Sequence, residues 1–164
     1  FVDVTMASGT GHLQKGHGVA FFDFDHDGDQ DVFEVLGGAY PGDTFRCALF
    51  ANPGHGNHWL SLRLVGTESP RCGTGAKVCV TVREGGQSRR IWRHVGPRAS
   101  FGGNPLRVEI GLGKAERIER VEVTWPRRGT VQTLVDVPMD ALVRVVEGEA
   151  KCERIAIPKV PERH

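Results

Sequence analysis

Short segments in which apolar and polar residues alternate recur through the second half of the chain. In residues 58–65 every second residue is a leucine, and in residues 76–83 three valines alternate with polar residues and Cys79. A period of two places alternate side chains on one buried face of a strand. The pattern predicts strands over residues 58–65, 76–83, 91–95, 106–112, 120–125, 131–135 and 142–147. Short strands at this spacing, separated by Gly or Pro turns such as Glu-Gly-Gly-Gln at 84–87, are typical of a β-sandwich or barrel.

The first third of the chain has a different pattern, in which two apolar segments flank an acidic one. Residues 19–22 and 31–36 are predicted to form strands, and residues 1–5 alternate as an edge strand would. Between the two apolar segments, an acidic residue occupies every second position, and Gly28 interrupts the series. A glycine can adopt a positive φ and curl such a row of side chains into a cup. The chain is therefore predicted to be all-β, with an acidic loop over residues 23–31.

The acidic loop offers the ligands that calcium prefers. Calcium takes about 6 to 8 oxygen ligands, so a loop that binds it needs several carboxylates that converge on one point. Without a cation, carboxylates this close together repel one another, and the loop is expected to open or to take up protons. The predicted ligands are Asp23, Asp25, Asp27, Asp29 and Asp31, of which Asp29 is expected to bind through its carbonyl oxygen.

The spacing of the acidic loop also fits an EF-hand, with Glu34 as the last ligand. An EF-hand needs a helix on each side, and the glycine-rich residues 9–18 are a poor helix. In addition, Gln30 stands where an EF-hand usually has an apolar residue. These departures favour a strand–loop–strand arrangement, in which Asp31 rather than Glu34 is the last ligand.

Composition and charge are those of a globular protein with an uneven distribution of charge. The 164 residues are 39% hydrophobic and 25% charged, which fits one domain or one domain with part of a neighbour. No apolar run approaches the roughly 20 residues of a membrane span. Residues 1–58 carry a net charge of −6 and the remainder carries +7. Because the basic residues are not interleaved with aromatic ones, no nucleic-acid partner is expected.

The four cysteines do not form a metal or dithiol motif. Since none of them forms a Cys-x-x-Cys pair, a zinc site or a redox dithiol is not expected. One or two disulfides in an oxidising compartment are favoured, and buried free thiols are the alternative. The spacing does not separate the three full pairings of Cys47, Cys72, Cys79 and Cys152.

Several motifs together resemble two known families. Residues 18–31, Gly-Val-Ala-Phe-Phe-Asp-Phe-Asp-His-Asp-Gly-Asp-Gln-Asp, resemble an FG-GAP/VCBS repeat, the integrin-type calcium loop of β-propeller blades. The chain beyond this loop is similar to the ASPIC/UnbV domain of cartilage acidic protein-like chains and of bacterial exported propeller proteins. One departure is Pro70, which stands where that family usually has an asparagine. The segments that carry the second resemblance are 49–60, 75–78, 100–106, 110–113 and 123–126.

The resemblance implies an organisation in three parts. Residues 1–57 would form a β-blade fragment with the calcium loop, residues 58–147 an ASPIC/UnbV-like sandwich or barrel, and residues 148–164 an extended tail. A full propeller has several acidic loops and this chain has one, so it is expected to be the carboxy-terminal piece of a propeller protein or a reduced version. Its partner would be another protein chain or the missing propeller, in a secreted, extracellular or periplasmic location.

No set of residues indicates catalysis. Ser100 does not lie in a nucleophile elbow, and nothing in the sequence links it to His58 or His94. We therefore expect a non-enzymatic calcium-binding module for adhesion or assembly. The alternatives are a carbohydrate- or polyanion-binding module, suggested by the basic second part and the tryptophans, and an accessory protein of a biosynthetic pathway, which only the UnbV resemblance suggests.

Overall fold

The computed structural model describes residues 2–96, 101 and 103–157. This part of the chain forms eleven β-strands and contains no helix, so the all-β prediction is confirmed. It also contains no helix that could span a membrane. The strands are β1 (Gly16–Phe22), β2 (Asp31–Leu36), β3 (Arg46–Phe50), β4 (His58–Val65), β5 (Lys77–Glu84), β6 (Gln87–His94), β7 (Val108–Gly113), β8 (Arg117–Thr124), β9 (Val131–Leu134), β10 (Ala141–Val146) and β11 (Glu153–Ile155).

Eight of these strands form a β-sandwich. One four-stranded sheet has the order β11-β10-β4-β7 and the other has the order β6-β5-β8-β9. Alternate residues of each strand point inward, and the valines of β5 and the leucines of β4 are almost completely buried in a shared core. Burying each such side chain contributes about 1.5–3 kcal/mol, so this alternation is what holds the two sheets face to face.

The connections between the strands follow from local chemistry and from one long crossover. β5 and β6 form an antiparallel hairpin whose turn residues, Gly85 and Gly86, both have positive φ (57° and 77°), as a two-residue turn of this hand requires. β4 pairs in parallel with β10, which is far along the chain, and antiparallel with β7. The central strands of the first sheet therefore come from distant parts of the sequence.

The three N-terminal strands form a separate antiparallel sheet in the order β1-β2-β3. β1 and β2 were predicted, whereas β3 was not. The predicted edge strand at residues 1–5 is wrong for the described residues 2–5. Asp3 Oδ1 accepts a hydrogen bond from the Thr5 N–H at 2.9 Å, and Ser8 N–H donates to Val4 O at 2.8 Å. These contacts bend the chain into turns instead of extending it.

The end of the sandwich is closed by two features that the alternation did not predict. β11 lies in the predicted tail and pairs with β10, so it covers an edge that would otherwise be open. Just after β10, Glu147 accepts hydrogen bonds of 2.8–2.9 Å from the N–H groups of Thr67, Glu68 and Ser69, and one of 2.8 Å from the Ser69 hydroxyl. This carboxylate therefore fixes the loop between β4 and β5.

These contacts change the acidity of Glu147. Desolvation raises the pKa of its carboxyl, but the hydrogen bonds from Ser69, Glu68 and Thr67 outweigh desolvation and lower the pKa to about 2. Each of these donors interacts more strongly with the ionised form than with the neutral acid. Glu147 is thus held as a carboxylate by the backbone of the loop it anchors.

All four cysteines are free thiols in the structure, where the sequence favoured one or two disulfides. The four cysteines lie on different elements. Cys47 lies on β3, Cys72 in the loop after β4, and Cys79 on the outward face of β5. Cys152 precedes β11 and packs against the sandwich core. Sequence spacing carries no information about these relative positions.

We expect the four thiols to react with an aromatic disulfide reagent in two phases. Cys47 and Cys72 are exposed and should react rapidly, whereas Cys79 is buried and Cys152 is partly buried. Burial raises the pKa of both slower thiols, and the Glu122 carboxylate raises that of Cys79 further, so less of the reactive thiolate is present. Stopped-flow absorbance at pH 8 would resolve the phases, and Cys72→Ser should remove half of the fast one. If fewer than four thiols reacted in the denatured protein, the cysteines would not all be free thiols.

Candidate metal centre

The acidic loop connects two strands of one hairpin. β1 ends at Phe22, β2 begins at Asp31, and these two residues are paired across the hairpin. The loop is therefore flanked by strands, as the strand–loop–strand interpretation predicted, and not by the helices of an EF-hand. Within it, Asp25 Oδ1 accepts a hydrogen bond from Asp27 N–H at 3.3 Å, and Asp27 Oδ1 accepts one from Asp29 N–H at 2.9 Å. These successive turns curl the loop.

The curl brings three of the predicted ligands together. Asp23, Asp25 and Asp27 each place a carboxylate oxygen within 4.8 Å of the other two. Asp25 and Asp27 are exposed, whereas Asp23 is only 5% exposed. Three carboxylates at this separation repel one another, so the arrangement concentrates negative charge at the mouth of the loop.

Asp23 has a buried oxygen without a partner. Its Oδ2 accepts a hydrogen bond from Gly28 N–H at 3.2 Å, but its Oδ1 is buried and accepts none from the residues that the structure describes. Burial raises the pKa of Asp23, and the nearby Glu109 carboxylate raises it further, against the opposing effects of the His26 and Gly28 backbone N–H groups and of Arg107. An unpaired buried oxygen is costly unless a cation or a donor satisfies it.

The other two predicted ligands lie outside this cluster. Asp31 is buried and uses both oxygens within the protein: Oδ2 accepts from Phe24 N–H and Oδ1 accepts from Asn52 N–H, both at 2.8 Å. The Asp29 carboxylate lies close to Gly54, on the segment that follows β3. In the structure, Asp31 therefore joins the loop to Asn52 by a hydrogen bond, and the negative charge of Asp29 lies next to Gly54.

The loop is fastened to the sandwich through residues that lie next to or on β7. Arg107 donates hydrogen bonds to Asp23 O at 3.2 Å and to His26 Nδ1 at 3.4 Å, and it forms an ion pair with Glu109. Glu109 also accepts a hydrogen bond from the Gln30 side chain at 3.0 Å. Both ends of the acidic loop are thus held by the same Arg107–Glu109 pair.

Gly28 lies against the indole ring of Trp59 on β4. A Cβ atom built at Gly28 would be 2.0 Å from Trp59 Cδ1, and the backbone there has φ +98°. Glycine is therefore required twice, first for the curl, as the sequence predicted, and second for close contact with the sandwich. The second requirement has no signal in the sequence near residue 28.

Residues outside the loop that the sequence singled out have structural roles. Trp125 is buried in the core and donates its Nε1–H to Gln132 at 2.8 Å, while Trp92 is 58% exposed, so the tryptophans form no common platform. His58 pairs with Asp140 at 2.8 Å. Two other histidines also have structural contacts: His12 packs on the Phe50 ring, and His17 hydrogen-bonds the Gly37 carbonyl. Ser100 lies outside the described residues.

The geometry of the acidic loop fits a hard cation. Its cluster of three carboxylates offers only oxygen ligands, and one buried oxygen of the cluster lacks a partner among the described residues. The sequence pattern predicted the series of carboxylates, but it did not indicate Asn52, Trp59, Arg107 and Glu109, which position the loop. No local signal marks them, because Trp59, Arg107 and Glu109 lie on or next to strands of a different sheet.

Comparison with known proteins identifies the sandwich. The family described as ASPIC and UnbV matches residues 66–152, which is more than half of the chain. The chain has no significant match among curated proteins. The matched segment begins just after β4 and includes all strands from β5 to β10, which form most of the sandwich. The chain therefore belongs to the ASPIC and UnbV family.

Proposed function

We propose that this chain is a non-enzymatic, calcium-binding module of a secreted, extracellular or periplasmic protein, and that it serves protein–protein interaction or assembly. Calcium would be held by Asp23, Asp25 and Asp27, and the negative charge of Asp29 and Asp31 would add to the attraction. The single observation that carries the proposal is the buried Asp23 Oδ1, which has no partner among the described residues and belongs to the carboxylate cluster. A cation would satisfy that oxygen and neutralise the repulsion within the cluster.

Calcium bound there would act as a structural clamp. The loop already contacts the sandwich through Arg107 and Trp59. By holding the three carboxylates together, the ion would keep Gly28 seated against Trp59 and the Asp23 carbonyl against Arg107. It would therefore stabilise the attachment of the N-terminal sheet to the sandwich, and it would have no role in catalysis.

The N-terminal sheet supports the proposal of a partner chain. We propose that this sheet is an FG-GAP/VCBS-like blade fragment, as the sequence of its loop suggests. Large apolar side chains are exposed on and around the sheet. An apolar surface of this kind is typical of an interface, so another protein chain or the remainder of a propeller would cover it. The exposed side chains include Val19, Phe21, Phe24, Phe45 and Leu49.

The calcium proposal predicts a metal-dependent melting temperature. A ligand that binds only the folded state stabilises it by mass action, and extracellular calcium sites have dissociation constants of about 0.1–1 mM. At about five times the dissociation constant the gain is about 1 kcal/mol, which corresponds to about 3 °C for a chain of this length. Differential scanning calorimetry in excess chelator and in 5 mM calcium would measure the shift.

A matched pair of variants would localise the effect to the loop. Asp23→Asn keeps the shape of the side chain and removes its charge, so the calcium-dependent shift should fall to less than about 1 °C. Asp136→Asn is the control, since Asp136 is exposed and lies after β9, away from the loop. It should retain the full shift. Equal melting temperatures of the unaltered protein in chelator and in calcium would remove the proposal.

A further inference from the structure

Three arginines lie side by side across the outward face of the sheet β11-β10-β4-β7. Arg144 on β10 is directly paired with Arg63 on β4. Arg107 immediately precedes Val108, which is paired with Leu62, so Arg107 lies on the other side of Arg63. We call Arg144, Arg63 and Arg107 the arginine row. The three side chains point away from the core, because residues next to them in sequence face it: Leu62, Leu64, Val108, Val143 and Val145.

The middle member of the arginine row is unpaired. Arg144 forms an ion pair with Glu153 at 3.3 Å, and Arg107 forms one with Glu109. Arg63 is exposed and makes no side-chain hydrogen bond or ion pair with any residue that the structure describes. Like charges on adjacent strands destabilise a sheet. An unpaired arginine between two others therefore costs stability unless an anion compensates it.

The arginine row forms one wall of a groove of about 610 Å³. Arg71 and Cys72 contribute from the loop after β4, and both are exposed. Arg71 makes no side-chain ion pair or hydrogen bond within the described part of the chain. Of the four arginines around the groove, Arg144 and Arg107 are each paired with a carboxylate, and Arg107 also lies beside the acidic loop. The excess positive charge of the groove is therefore at Arg63 and Arg71. Its remaining lining is aliphatic and includes Val65, Leu106 and Leu142.

We infer that this groove binds an acidic segment of a partner protein, with carboxylates on Arg63 and Arg71 and an aliphatic side chain on the apolar part of the lining. The planar guanidinium group matches a carboxylate with two parallel hydrogen bonds. A sulfated glycan would satisfy the charge but would bring hydroxyl groups against Val65, Leu106 and Leu142. The inference rests on the proposed function as a protein-binding module, but it does not depend on the calcium site.

The test uses an array of random-sequence dodecapeptides and the intact chain in constant calcium. The bound peptides are expected to be enriched in Asp and Glu together with Leu, Ile or Val. Removing two charge-assisted contacts in R63Q/R71Q should weaken their binding at least tenfold, as measured by fluorescence anisotropy. The control R90Q/R117Q makes the same charge change on the other sheet and should bind as the unaltered protein does. If both double variants lost the same peptide affinity, the effect would come from net charge rather than from the groove, and the inference would be overturned.

Two further measurements separate the possible outcomes. Arg63→Gln removes the charge repulsion within the arginine row, so it should raise the melting temperature by about 2 °C at low salt. In 1 M salt the repulsion is screened, and the variant and the unaltered protein should melt at the same temperature. A lower melting temperature of Arg63→Gln than of the unaltered protein would show that Arg63 makes a stabilising contact and is not unpaired. Stronger competition by a heparin oligosaccharide than by the best acidic peptide would overturn the choice of a protein ligand. If R63Q/R71Q binds the peptides as well as the unaltered protein does, and calcium still raises the melting temperature, only this inference is removed. If binding requires the two arginines but calcium does not raise the melting temperature, only the calcium proposal is removed.

Discussion

Replacing Glu147 with glutamine is expected to lower the free energy of unfolding by about 2 kcal/mol at pH 7, because hydrogen bonds to a charged group contribute about 1.5–3 kcal/mol. One oxygen of Glu147 accepts three backbone N–H groups, and the other accepts the Ser69 hydroxyl. Glutamine keeps the shape, but it loses the charge and replaces one acceptor with a donor. Urea denaturation monitored by tryptophan fluorescence would measure the loss.

The effect of Glu147→Gln should depend on pH in a defined direction. The pKa of Glu147 is lowered to about 2 in the folded protein, whereas in the unfolded chain it has the ordinary value near 4.5. The carboxylate therefore contributes its full stabilisation above about pH 5, and the contribution is lost as the pH falls toward 2. The unfolding free energies of the variant and the unaltered protein should converge near pH 2.

Glu149→Gln is the matched control for this prediction. Glu149 is exposed and lies two residues further along the same turn, and its side chain accepts no hydrogen bond within the described residues. The control should change the unfolding free energy by less than about 0.5 kcal/mol. If both variants lost the same stability, or if the loss with Glu147→Gln were independent of pH, the hydrogen bonds to Glu147 would not explain the lost stability.

Most of the sandwich strands were predictable because the apolar side chains of each one lie mainly on a single face. β4 was predicted with its observed bounds, since Leu60, Leu62 and Leu64 alternate with Ser61 and Arg63 along most of its length. The hairpin at residues 84–87 was predictable because two adjacent glycines meet the backbone requirement of its turn. In both cases the information lies within a few consecutive residues, which is why the sequence pattern was sufficient.

The strands that were missed carry no local signal. β3 is five residues long and only partly buried, and β11 has three residues. Both form because a neighbouring strand offers unpaired backbone groups, β2 in the first case and β10 in the second. Their existence therefore depends on the tertiary structure, which a period of two in the sequence does not reveal.

The cluster of carboxylates was predictable from the sequence, but the residues that hold the loop in place were not. Alternate aspartates with Gly28 are a local pattern, and the structure gathers Asp23, Asp25 and Asp27. Arg107, in contrast, is 84 residues from Asp23, whose carbonyl it contacts. No period or spacing links two residues so far apart, so the way in which the loop is fastened to the sandwich required the structure.

Replacing Gly28 with alanine is expected to lower the free energy of unfolding by about 3 kcal/mol, the largest effect that we predict for a single methyl group. Two costs add. The left-handed backbone at φ +98° strains an alanine by about 1–2 kcal/mol. The new Cβ would also lie 2.0 Å from Trp59 Cδ1, so the loop or the indole must move at a further cost of about 1–3 kcal/mol.

Gly42→Ala separates the two costs of Gly28→Ala. Gly42 has a similar φ of +91°, but a Cβ atom there would meet nothing within 4 Å. This control should lose only the strain, about 1 kcal/mol in urea denaturation. In a Trp59→Ala background the overlap is absent, so Gly28→Ala should then cost no more than Gly42→Ala does. If Gly28→Ala lost as much stability in the Trp59→Ala background as in the unaltered protein, the new Cβ would be clashing with the loop itself. Contact with Trp59 would then not be the reason that residue 28 is glycine.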